Sequence, residues 1–119
     1  MRKLLILAIL IAAPVFAQAP ATGQYLLRIE VVRSGFTFQN MTEDEGRLLM
    51  QHAAYLKTLM DDGKLTFAGQ VFDPKGLWGV IVVNAPNAAS ATEILNGDPG
   101  MKAKILRGEI IPFRTVFAK

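Results

Sequence analysis

The sequence predicts a small α+β domain in the order β-α-β-β-α-β, with four strands in one antiparallel sheet and two helices on one face. Three observations point there. A β-branched run opens the body of the chain, a strongly capped amphipathic stretch follows it, and two further strand-like runs are joined across Asp73-Pro74-Lys75-Gly76.

Tyr25-Leu26-Leu27-Arg28-Ile29-Glu30-Val31-Val32 reads as the first strand. Leu27, Ile29 and Val31 share one face; Leu26, Arg28, Glu30 and Val32 share the other, which is semi-polar and so meets a cavity or a partner. Ser34 to Met41 is a loop whose Phe36 and Phe38 are read as staples holding it to the domain. Thr42-Glu43-Asp44-Glu45 is a capping box that starts a helix, and Gly63 stops it. Leu48, Leu49, Ala53, Leu56, Leu59 and Met60 mark its packing face, with His52 and Tyr55 along one border.

Lys64 to Phe72 and Leu77 to Asn84 form a hairpin, in which Gly69 and Gly79 are expected to make room for a bulge or a neighbouring backbone. A short helix runs from Ala88 to Leu95 and breaks at Asn96-Gly97-Asp98-Pro99-Gly100, with a further helical turn expected within Met101 to Leu106. Glu109 to Phe117 is the last strand, and Pro112 places it at an edge or a bulge. This order is the split βαβ pattern of ferredoxin-like domains. The second sheet face, carrying Leu26, Val32 and residues such as Trp78, Val80 and Val82, lacks cover, so face-to-face homodimerisation is expected.

The 119 residues hold 13 Lys+Arg against 10 Asp+Glu, one His and no Cys. Residues 1–19 have a signal-peptide layout: Arg2 and Lys3, an uncharged run from Leu4 to Ala13, then small residues that suit cleavage after Ala17 or Ala19. The apolar run is about ten residues, too short to cross a bilayer core of about 30 Å permanently. Residues 20–119 then form a single domain, exported and periplasmic, and removal of Arg2 and Lys3 leaves it almost neutral. It has no basic run, which excludes nucleic-acid binding. The lack of Cys excludes disulfides, thiolate catalysis and cysteine-ligated metals, and a single His excludes a two-histidine metal site.

His52 is the only side chain whose ordinary titration range lies near neutral pH. A lone His on a helix border is commonly a half-buried structural residue. Asp98, at the end of the second helix, raises the functional reading, because the two helices run side by side on one face. A carboxylate that accepts from one imidazole nitrogen fixes the tautomer and strengthens the other nitrogen as a base.

Met41-Thr42-Glu43-Asp44-Glu45, His52-Ala53-Ala54-Tyr55-Leu56, Gly63-Lys64-Leu65 followed by Ala68-Gly69, Asp98-Pro99 and Pro112-Phe113-Arg114, in this order and spacing, resemble the YciI-like (YCII-related) family over nearly all of residues 24–119. The resemblance implies a dimeric α+β barrel in which two ferredoxin-like sheets pack face to face, with His52 and Asp98 as the active-site pair. Two positions depart from the family: Gln70 follows Gly69 where a proline is usual, and Lys104 stands where a glycine is usual. The lost glycine predicts a reshaped pocket wall.

The resulting expectation is a small cofactor-independent lyase or isomerase acting on a cyclic substrate. His52 is its general acid or base, Asp98 orients it, Tyr55 donates a hydrogen bond, and Arg28 or Arg114 holds an anionic group. The alternative is a non-catalytic periplasmic dimer that binds a small molecule, with the His52–Asp98 bond structural. Haem binding through His52 rests on architecture alone and is set aside.

Overall fold

The computed structural model describes residues 23–119, so the leader and its cleavage positions lie outside the described residues. The chain runs β1 (Gly23–Val31), α1 (Glu43–Asp61), β2 (Leu65–Asp73), β3 (Gly76–Ala85), α2 (Ala88–Asn96), α3 (Pro99–Lys102) and β4 (Leu106–Phe113). The four strands form one antiparallel sheet in the order β2-β3-β1-β4. This is the expected ferredoxin-like α+β fold, and β4 with Pro112 is an edge strand.

Local chemistry sets the element ends. Thr42 Oγ1 accepts from the Glu45 N–H at 3.1 Å, and the Glu45 carboxylate accepts from the Thr42 N–H at 2.9 Å, closing the capping box. At the other end of α1, Lys64 N–H donates to the Leu59 carbonyl and Gly63 N–H to that of Met60, with Gly63 at φ +75°. This is a Schellman stop that favours glycine. The hairpin turns tightly between paired Asp73 and Gly76, and Asp73 Oδ1 accepts from the Lys75 N–H at 2.9 Å.

The core lies between the sheet and the helices. Leu27, Ile29, Ile81, Val83 and Ala85 from the strands meet Leu59 of α1, Ala91 and Leu95 of α2, and Leu106. Strand alternation therefore runs as expected along β1. The opposite face carries Leu26, Val80 and Val82, together with Phe67 and Ile111, which are exposed.

Several expectations are corrected. The stripe of α1 that turns inward is Glu45, Leu48, Leu49, His52, Tyr55, Leu56 and Leu59, while Ala53 and Met60 are exposed. Ala53 and Met60 each follow a stripe residue, and one residue rotates a helical side chain by about 100° off the stripe. His52 thus lies in the middle of the inward face, where Asp98 gives it a polar partner, whereas Tyr55 stays at the border as expected. The sheet's bulge falls between Leu65 and Phe67, and a Cβ at Gly69 or Gly79 would find nothing nearer than 3.7 Å, so neither glycine is required by a close approach.

The extra helical turn comes earlier than expected, over Pro99–Lys102, because Asp98 caps it and Pro99 suits its first position. The last strand likewise starts at Leu106 and stops at Phe113. Beyond it, Thr115 donates through its N–H and hydroxyl to Gln24 Oε1, folding the chain back against β1.

Candidate functional site

Asp98 caps α3: its Oδ1 accepts from the Gly100 N–H at 2.8 Å, and the residue is only 2% exposed. Its other oxygen, Oδ2, meets Nδ1 of His52 on α1. A carboxylate oxygen is an acceptor only, so the proton of this bond sits on Nδ1, and in the neutral imidazole the lone pair is on Nε2. Nε2 makes no hydrogen bond among the described residues. The expected His52–Asp98 pair is therefore brought together, by a helix cap that immobilises the carboxylate and a helix face that carries the imidazole to it.

His52 borders a cavity of about 510 Å³ between α1, the 32–41 loop and the sheet. Its wall is mainly apolar and includes Ile29, Leu49, Leu56 and Leu106, with Gln70 as a polar side chain. Phe36 and Phe38 also line it, edge to face with centroids 5.8 Å apart. They are thus cavity wall and not staples buried in the core; Phe38 is 43% exposed. Asp98 is sealed beneath His52, which alone of the pair reaches the cavity.

A bidentate ion pair fixes the loop that carries the two phenylalanines. Arg33 donates from Nε and a terminal nitrogen to the Glu45 carboxylate at 2.7 and 2.9 Å, and from the terminal nitrogen to the Asn40 side chain and carbonyl. The Arg33 hydrogen bond, joined by the one from the Thr42 N–H, holds the Glu45 carboxyl down at about 2. Glu45 in turn raises Arg33 above the usual guanidinium range.

The remaining expected site residues lie elsewhere. The Tyr55 hydroxyl donates to the Ile94 carbonyl at 2.7 Å, tying α1 to α2, and Tyr55 is not in the cavity wall. Burial, and then the nearby Asp98 charge, push its phenol up. Arg28 is on the other sheet face, its guanidinium 4.1 Å from the centre of the Trp78 ring, because odd and even positions of β1 point to opposite faces. Arg114 follows the end of β4 beside Gln24, whereas the cavity lies at the Ile29–Val31 end of β1. None of the three accompanies His52 in this chain.

Lys104 does not reshape the cavity wall either. It adopts φ +60° at the stop of α3, with Lys104 N–H donating to Met101 and Ile105 N–H to Gly100, so the backbone keeps the turn that a glycine would take. Gln70, the other departure, does face the cavity. Sequence reasoning missed Phe36, Phe38 and Leu49 as wall residues; Gln70 had one available signal, a polar residue at an inward position of β2. Among the described residues, no three His, Asp or Glu side chains converge as a metal-ion cage. No helix among them is long and apolar enough to cross a membrane.

A ferredoxin-like α+β domain with a His–Asp pair at the wall of an apolar cavity is the class that fold and site define. The YCII-related domain matches residues 31–114, and the chain belongs to that family. No curated protein matches the sequence.

Proposed function

We propose that this YCII-related protein is a lyase- or isomerase-type enzyme that moves a proton on a small cyclic molecule in the cavity. His52 Nε2 acts as the acid–base group and Asp98 orients the ring. The observation that carries this reading is the division of labour within the pair. A buried, doubly engaged Asp98 holds Nδ1, while the imidazole borders a cavity of small-molecule size.

Deuterium incorporation tests it. In D2O, small cyclic lactones and enones are followed by proton NMR for exchange at the carbon next to the carbonyl. The wild type should exchange a member of the panel about 100-fold faster than His52→Gln. Equal rates in the two proteins would sink the catalytic reading and leave a binding protein.

The reading includes a second copy of the chain on the open sheet face, supported by exposed Phe67 and Ile111. Sedimentation as a monomer at micromolar concentration would remove it. It also includes export, supported by the Leu4–Ala13 run and the small residues after it. Mature protein that retains Met1 would count against cleavage.

A further inference from the structure

Beside the main cavity lies a second concavity of about 300 Å³ that shares Glu30, Val31, Phe36 and Leu77 with its wall. The chemistry changes across this shared rim. Arg33, Lys75 and Arg107, from the β1–α1 loop, the hairpin turn and β4, converge on the smaller space.

Their charges are unevenly matched. Arg33 is neutralised by Glu45, and Arg107 by Glu30 through Nε at 2.9 Å. Lys75 Nζ has no ion-pair partner among the described residues; Asp73 accepts from the Lys75 backbone N–H and is not part of this wall. One positive charge is therefore unmatched. Donor capacity is also spare, because Arg107 uses only Nε in its pair, and Arg33 leaves one terminal nitrogen unused. Unused guanidinium N–H groups beside an unmatched ammonium suit a carboxylate, which accepts at two oxygens.

We propose that this vestibule is an anion-binding subsite. It takes the carboxylate of a small organic monoanion whose apolar body lies in the larger cavity against Phe36 and His52. The inference rests on that cavity being the ligand site proposed above, though not on His52 being catalytic. A single unmatched cation selects a monoanion over a neutral or cationic ligand of the same shape.

Three probes with one apolar body separate the possibilities: octanoate, octan-1-ol and octylamine, titrated into the untagged full chain. Binding is followed at the ring protons of His52, the sole histidine. Octanoate should bind about tenfold more tightly than octanol, the worth of one charge-assisted hydrogen bond, and octylamine should bind most weakly. Lys75→Gln should bring octanoate to within about threefold of octanol, and Lys75→Arg should keep the preference. Lys75 is an exposed turn residue, and its side chain can change without loss of the fold.

Equal binding of octanoate and octanol overturns the subsite and leaves the cavity as a ligand site. An octanoate preference that survives both Lys75→Gln and Arg107→Gln also overturns it. If neither octanoate nor octanol moves the His52 signals, the cavity reading fails and the subsite fails with it. Failure of the deuterium-exchange test alone leaves the subsite standing.

Discussion

Arg33 and Glu45 are joined by two parallel hydrogen bonds that lock the Phe36–Phe38 wall of the cavity onto the first turn of α1. Glu45 has a folded-state pKa of about 2 against an ordinary 4.5. Its contribution is therefore complete above about 4.5 and is lost as the pH falls towards 2. Melting temperature should drop across that window more steeply in the wild type than in Glu45→Gln. Parallel curves would show that the pair does not secure the loop.

Asp98 both caps α3 and holds His52, so the two functions separate by substitution. Asp98→Ala removes both and should cost about 2–4 kcal/mol in denaturant unfolding. Asp98→Asn keeps an oxygen for the Gly100 N–H but places an amide beside the ring. It should retain more stability while losing the downfield Nδ1–H signal and most proton-transfer activity. An unchanged downfield signal would refute the pairing.

The Schellman geometry occurs twice, with Gly63 after α1 and Lys104 after α3. A left-handed residue with a Cβ costs about 1–2 kcal/mol, partly offset by the extra unfolded-state entropy of glycine. Lys104→Gly should thus stabilise the protein by about 0.5–1 kcal/mol, and raise the melting temperature by about 3–5 °C. No gain would mean that the Lys104 side chain contributes an interaction of its own.

Gly100 is buried where a Cβ would press into the side chain of Leu106, itself a core residue. Gly100→Ala should destabilise by about 1–3 kcal/mol. It should also shift the His52 ring signals, because the Gly100 N–H anchors Asp98. A loss of stability with unmoved ring signals would confine Gly100 to packing.

The features legible from sequence are those written in short segments. Thr42 with Glu45, Asp73 to Gly76, Gly63, and the alternation of Leu27 and Ile29 each announce a local geometry, and the chain adopts each one. The inward face of α1 was harder to read. Its polar members are stabilised by partners 12, 46 and 39 residues away, for Glu45, His52 and Tyr55 respectively. Hydrophobic periodicity leaves such residues out of the packing face because it cannot see the partner. The cationic vestibule was hidden for the same reason, since Arg33, Lys75 and Arg107 are unremarkable singly and acquire meaning only through the sheet order.

The three polar residues on the buried stripe of α1 reach three separate segments: Arg33 of the loop, Asp98 before α3, and Ile94 of α2. Apolar faces tolerate a slide along the helix axis, since one leucine contact can substitute for another. A directed hydrogen bond has no such substitute, and three of them spaced from Glu45 to Tyr55 leave a single allowed phase and a single allowed depth. The helix is keyed into the domain like a bolt with three wards, and the imidazole sits on the middle one. Its placement is therefore a property of the whole lock: loosening either outer ward, at Glu45 or at Tyr55, should blur the aim of the ring.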